Sequence, residues 1–211
     1  MDEGLKSLVA KAEQGDVKSM VMVGDCYNRG LYTNKDDSKA QVYYKMAADN
    51  GHPGAMFMVG LGYLNGIGVE QNMVTAVKYI QDAANKGVAN AQYIAGSLYH
   101  AGKAGTFFKN RKAIKYYKMA AKQGHADAQY ELGKIYLLKW SHGSNRHFDK
   151  GLFWILCASL HTSKKSAEVS TKAKDYINRI ISELGFPKEA VKWKIEQIKR
   201  EHPGYIIDPT Y

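Results

Sequence analysis

Cysteine is scarce in this chain, with two in 211 residues. Two thiols cannot staple a disulfide framework, so the fold must be held by packing. Cys26 and Cys157 lie far apart, each inside an apolar helical pattern, and read as small buried thiols rather than as a functional pair. Proline is equally rare, at four residues. That excludes a collagen-like or proline-rich chain and suits long helices. No apolar run approaches the roughly 18 residues of a membrane-spanning helix. The start, Met1-Asp2-Glu3-Gly4-Leu5, has neither the basic opening nor the apolar stretch of a secretory signal. The expectation is a cytoplasmic protein, or a periplasmic or secreted one if a signal has been trimmed away.

The composition is otherwise ordinary. Hydrophobic residues make up 45% and charged residues 24%, which excludes global disorder. The formal charge of +10 is unevenly placed. Residues 1–105 carry ten basic and ten acidic side chains; residues 106–211 carry twenty basic and ten acidic. A basic half attracts nucleic acid, an anionic surface or an acidic protein, and it also simply keeps a protein in solution.

An internal repeat organises the chain. Ala-Ala pairs fall at Ala47-Ala48, Ala83-Ala84 and Ala120-Ala121, each followed three residues on by Gly51, Gly87 or Gly124. Then come Ala55, Ala91 and Ala128, next Gly60, Gly96 and Gly133, next Tyr63, Tyr99 and Tyr136. Ala12, Gly15, Gly24 and Tyr27 supply an earlier copy, each 36 residues before its counterpart, and a weaker fifth copy begins at Gly151 with Ala158. Each copy reads as two helices. Tyr43, Tyr44, Ala47 and Ala48 make an i, i+3, i+4 apolar stripe. Ser38 with Gln41 three later looks like a capping box opening that helix. The glycines at 51, 87 and 124 sit where such a helix should end.

These residues resemble the Sel-one-like repeat family, relatives of the tetratricopeptide repeats. The second copy carries the pattern nearly throughout: Ala55, Val59-Gly60, Tyr63, Gly66, Gly68-Val69, Asn72, Ala76, Tyr79, Ala83-Ala84 and Gly87. The resemblance covers about residues 5–160 and implies an all-α fold, an alpha-alpha superhelix of four to five helix pairs. Residues 1–163 form the repeat region, with repeats at about 17–51, 53–87, 89–124 and 126–161. Residues 164–200, with Ala173, Ile177, Ile180 and Val191, Ile195, Ile198 at helical spacing, read as a helical end cap with one polar face. Residues 201–211 form a tail that is not helical, read as a loose end before packing on the stack. Copy one departs from the pattern at Ser19, where Ala55 would recur. The loops over 102–108 and 140–147 are specialised relative to the others.

Catalytic constellations are not evident. Gly66-Ile67-Gly68-Val69 lacks the third glycine and the preceding strand of a dinucleotide site. His142 and His147 share a loop with Ser141 and Asn145, but only Asp149 joins them as a further ligand type, so a polar surface loop is preferred to a metal site. Cys157 has no basic neighbour to make it a nucleophile, and no nucleophile elbow is present. The expectation is no enzyme, no cofactor and no metal.

The face opposite the packed stripe is more informative. At 100° per residue, positions 93, 97 and 100 oppose Ala91, Ala95, Gly96 and Tyr99. In tetratricopeptide-like stacks that side lines the concave groove. The equivalent sets are Val21, Asp25 and Asn28; Phe57, Leu61 and Leu64; Tyr93, Ser97 and His100; and Tyr130, Lys134 and Leu137, with Lys18 and Arg29 beside the first. Val21, Phe57, Tyr93 and Tyr130 hold one position of successive copies. Aromatic anchors suit a binding site, although packing against the next repeat would also account for them. A second surface is basic: Arg111, Lys115, Lys118 and Lys122 form one stripe, read first as a solvated face.

Two functions follow. The first is a non-enzymatic scaffold that takes a protein or peptide partner in the groove. The resemblance adds that family members are mostly bacterial adaptors, some of them secreted, virulence-associated or antigenic, and some neutralising toxic effectors. Its cysteine-rich exported branch staples each repeat with a disulfide, a pattern this chain lacks. The second is nucleic-acid or anionic-surface binding through the basic C-terminal half.

Overall fold

The computed structural model describes residues 2–104, 109–141 and 145–206; residues 105–108, His142 and the end of the tail at 207–211 lie outside them. Among the described residues there are eleven α-helices, one short 3-10 turn and no strand. The helices recur in pairs, the arrangement of an alpha-alpha solenoid. By contact the chain divides into two units, Met1–Phe107 and Phe108–Tyr211, and the boundary falls inside the third repeat.

The first unit contains α1 (Glu3–Glu13), α2 (Val17–Arg29), α3 (Asp37–Asp49), α4 (Pro53–Asn65), α5 (Met73–Asn85) and α6 (Ala89–His100). Each helix packs on the next in chain order. The pairs α2–α3 and α4–α5 are close because the facing residue on the first helix is glycine. A Cβ on Gly24 would stand 2.7 Å from the Tyr44 ring, and one on Gly60 would stand 2.7 Å from Ile80 Cγ1. Tyr44 and Ile80 are 36 residues apart, and both are fully buried. Helix α1 occupies the place of a second helix without a first. It buries Leu5 and Ala12 and leaves most of its remaining surface exposed and polar.

The helix ends repeat as strictly as the core. Asp16 and His52, again 36 apart, cap α2 and α4 by accepting from the Ser19 and Ala55 backbone N–H groups. Asp36 and Asn72 cap α3 and α5 in the same way, accepting from Lys39 and Thr75. The capping box expected at Ser38 and Gln41 therefore does not form. Asp36, two residues upstream of Ser38, supplies a stronger acceptor, and Gln41 is buried and donates to the Met58 carbonyl at 3.4 Å. The glycine stops do form: Gly51 and Gly87 take the left-handed conformation just past α3 and α5, with φ of 85° and 96°.

The second unit contains α7 (Lys109–Lys122), α8 (Ala126–Ser141), α9 (Asn145–Ser159), α10 (Ala167–Leu184), α11 (Lys188–Glu201) and the turn η1 (Pro203–Tyr205). Helices α8 and α9 approach through two glycines: a Cβ on Gly133 would meet Ile155 at 2.7 Å, and one on Gly151 would meet Leu137 at 2.6 Å. Leu132, Leu152, Ile155, Leu156 and Cys157 form the centre. Helices α10 and α11 bury Ala173, Ile177 and Ile180, and Val191 and Ile198, respectively. Two features differ from the sequence reading. His147 lies in the first turns of α9, its ring stacked on Tyr136, and not in a loop. The tail is not loose as far as Ile206: Tyr205 stacks on Trp154, with centroids 5.5 Å apart, and its carbonyl accepts a hydrogen bond from Gln129.

Candidate functional site

In the first unit, the packed stripe and the opposite face separate as helical periodicity requires. Ala55, Val59 and Gly60 on α4 are buried, as are Ala91, Ala95, Gly96 and Tyr99 on α6. Across from them, Val21, Phe57 and Tyr93 are all half-buried, and so are Asp25, Leu61 and Ser97. Lys18, Arg29 and His100 are exposed. The face is thus neither core nor ordinary solvated surface. It presents apolar rings that their own repeat covers only in part. Val21 leans against the unit's core, and Tyr93, Ser97 and His100 each engage neighbouring groups.

Asp25 has a structural partner. The Tyr44 hydroxyl donates to its Oδ1 at 2.7 Å. Burial, then the hydrogen bond and charge of Asp25, raise the Tyr44 phenol above its ordinary range, so it stays a donor. Sequence spacing put Asp25 on the right face but gave no sign that the second helix reaches over to hold it.

In the second unit, Tyr130 is half-buried. The Lys134 ammonium lies 4.9 Å from the Tyr130 ring centroid and pairs with Glu131 at 2.8 Å. Leu137, expected on the same face, is buried instead, because Gly151 lets α9 close over it. Arg111, Lys115, Lys118 and Lys122 are all exposed on α7, on the side away from buried Ala113, Tyr116, Tyr117, Ala120 and Ala121.

Sequence reasoning missed two further features. The first is a pair of buried glutamines 37 residues apart. Gln92 donates to the Ala84 carbonyl and Gln129 to the Ala121 carbonyl, each at 3.0 Å. Each ties the first helix of one repeat to the end of the preceding helix, and their common register was the available signal. The second is an apolar cleft of about 210 Å³ beside α8, α9 and α10, walled by Leu138, Trp140, Phe148, Ile180 and Leu184. Its aromatic wall comes from the segment that departs most from the repeat pattern.

The chemistry available is modest. Among the described residues, no three His, Cys, Asp or Glu side chains are grouped to hold a metal ion. Burial pushes the Cys157 thiol up to about 12 and raises Cys26 as well, opposite to what a nucleophile needs. Among the described residues, no helix is long and apolar enough to cross a membrane.

Comparison with known proteins agrees with the geometry. The fold is similar to that of c5321, a protective antigen of uropathogenic Escherichia coli strains with an SLR fold, at a TM-score of 0.66 and 22% identity. The match covers 95% of this chain but only 44% of that protein, so this chain spans less than half its length. A Sel1 repeat protein from Oxalobacter formigenes superposes at a TM-score of 0.57 with 29% identity, over 63% of this chain and 99% of its own. No curated protein gives a significant sequence match. The Sel1 repeat model matches four consecutive segments, 17–52, 53–88, 89–125 and 126–161, each of which holds one helix pair. With four such repeats in register over more than half its length, the chain belongs to the Sel1 repeat family.

Proposed function

We propose that this protein is a non-enzymatic scaffold, an adaptor that takes a protein or peptide partner on the face carrying Val21, Phe57 and Tyr93. Sel1 repeat proteins generally mediate protein–protein interaction, and such stacks offer a few side chains per repeat to an extended or helical ligand. One observation carries the reading. The same register position holds an apolar or aromatic side chain in successive repeats, and at each it is only half covered. The small residues of the packed stripe, such as Ala55 and Ala91, are by contrast fully buried. A solvated position would be polar. Rings left half covered have surface to give to a ligand at low entropic cost.

Lys18 and Arg29 supply cations at the edge of this face, and Leu61, Ser97 and His100 fill its floor and end. Asp25 acts at one remove, through Tyr44. Tyr130, with Lys134 over its ring, offers the corresponding contact in the second unit. The partner is held by surface complementarity, without cofactor or metal.

The test is capture of partners from the native cell's lysate by wild type and by the Phe57→Ala, Tyr93→Ala, Tyr130→Ala triple variant, with nuclease present. A protein retained by wild type and lost by a folded triple variant supports the reading. Equal retention by both contradicts the assignment of the face.

A further inference from the structure

Several exposed cations of this protein are answered locally. Lys6 pairs with Glu3 on α1, Lys39 and Lys45 with Asp36 and Asp49 at the ends of α3, Lys134 with Glu131 on α8, Lys172 and Arg179 with Glu168 and Glu183 on α10, and Lys192 and Lys199 with Glu189 and Glu196 on α11. Each partner lies three or four residues away, where a helix brings side chains together. Helix α7 offers its cations no such partner of its own. Its sequence, KNRKAIKYYKMAAK, has six basic residues and no acidic one. Arg111, Lys115, Lys118 and Lys122 are exposed, and among the described residues none has a carboxylate partner within 4.0 Å.

Their placement is linear. At about 100° per residue the four fall within an arc of about 60°, diametrically across from the buried residues of α7. Their axial steps are about 6, 4.5 and 6 Å, so the row is about 16 Å long and one side chain wide. A row of like charges on one helix costs stability. Lys115 lies over the Tyr116 ring at 5.5 Å, and among the described residues no carboxylate is paired with any of the four. What complements it is a row of anions with the same steps.

We infer that α7 is a second docking surface, distinct from the ring-bearing face, and that its ligand is an acidic protein helix with carboxylates in the same 4, 3, 4 spacing. Charge complementarity selects that occupant. A membrane would need apolar side chains to insert beside the cations, and the described exposed residues of α7 are Asn110, Arg111, Lys112, Lys115, Lys118, Lys122 and no apolar one. Single-stranded nucleic acid would need aromatic platforms, and Tyr116 and Tyr117 are buried. A duplex presents two lines of phosphate flanking a groove rather than one line of anions. Three of the four cations are lysines, compact point charges rather than the planar forks that grip phosphate in pairs. A helical carboxylate ladder meets all four one to one.

The test uses the full chain and a labelled alanine-based peptide of about 16 residues with four glutamates spaced 4, 3, 4. Its control has the same composition with the glutamates spread around the helix. In about 50 mM salt the matched peptide should bind wild type more tightly than the control does. Binding should fall about tenfold or more at about 200 mM salt, and about tenfold or more in the Arg111→Gln, Lys115→Gln, Lys118→Gln, Lys122→Gln variant. The variant's helical circular dichroism shows that it is folded. A Phe57→Ala, Tyr93→Ala variant should bind the matched peptide as wild type does, which separates this surface from the proposed groove. Equal binding of both peptides, no binding of the matched one, or undiminished binding by the quadruple variant overturns the inference. So does tighter, stripe-dependent binding of a duplex of about 20 base pairs or of phosphatidylserine vesicles.

Discussion

The Tyr44 hydroxyl donates to Asp25 Oδ1 at 2.7 Å, tying the second helix of the first repeat to the first. Tyr44 is fully buried, and its ring also fills the space that Gly24 leaves open. Packing and polar satisfaction therefore meet in one residue. Replacing Tyr44 by Phe keeps the ring and removes the donor. The expected loss is about 1–2 kcal/mol in urea unfolding, the usual cost of a part-buried acceptor left unmade. Tyr44→Ala adds a cavity and should cost about 3–5 kcal/mol. Equal losses for the two variants would show that the hydrogen bond carries the whole effect.

Close approach at Gly60 makes a second prediction. Its added Cβ would stand 2.7 Å from Ile80 Cγ1 and 3.1 Å from the Ile80 backbone nitrogen. Gly60→Ala should destabilise the first unit by about 1–3 kcal/mol. Because the clash is partly with a side chain, Ile80→Ala should absorb some of it. A double-mutant cycle should then give a combined loss smaller than the sum of the single losses. Strict additivity would mean that the helices separate instead of the side chain yielding.

Gln129 joins three segments of the second unit. It is fully buried, donates to the Ala121 and Tyr205 carbonyls, and lies 3.0 Å from His161 Nε2 through its own oxygen. Gln129→Ala strips a partner from each and should cost about 2–3 kcal/mol, against about 1 kcal/mol for Gln92→Ala. It should also free the turn at Tyr205 and shift Trp154 fluorescence, since the two rings stack. An unchanged Trp154 signal in a destabilised variant would show that stacking alone holds the turn.

Much of this architecture is legible in the sequence because a repeat states each constraint several times. The glycine stops at 51 and 87 and the core positions of Gly24 and Gly60 recur at 36 residues, and the Ala-Ala pairs at 36 and 37. Sequence alone favours Ser38 as the cap because three good capping residues, Asp36, Asp37 and Ser38, stand in a row; aligning Asp36 with Asn72 resolves the choice. Leu137 was placed on the open face because helical rotation says nothing about a neighbouring helix. Gly151 lets α9 come close enough to cover it. The Asp25–Tyr44 bond and the apolar cleft at Trp140 and Phe148 depend on contacts between helices, and no single-helix pattern encodes them.

Acid should loosen the first unit through its helix caps. The Ser19 hydroxyl and backbone N–H hold the Asp16 carboxyl below its ordinary 3.8, and the Lys39 backbone N–H does the same for Asp36. A folded-state value below the unfolded one adds stability above pH 3.8, and that stability is lost as pH falls through the folded value. Melting temperature should therefore drop as pH falls below the ordinary carboxylate value of 3.8. Asp16→Asn with Asp36→Asn keeps the acceptors, removes the titration and should flatten the slope. A slope identical to wild type would assign the acid response to other carboxylates.

The central claim is that Val21, Phe57 and Tyr93 mark the face where a partner sits. The most direct measurement is photo-crosslinking in the native cell with benzoylphenylalanine at position 57 or 93, against a control at Val74, an α5 residue that is 83% exposed. The prediction is a discrete protein adduct from positions 57 and 93, the same partner in both, and none from position 74. Adducts from position 74 alone, or equally from all three, would contradict it.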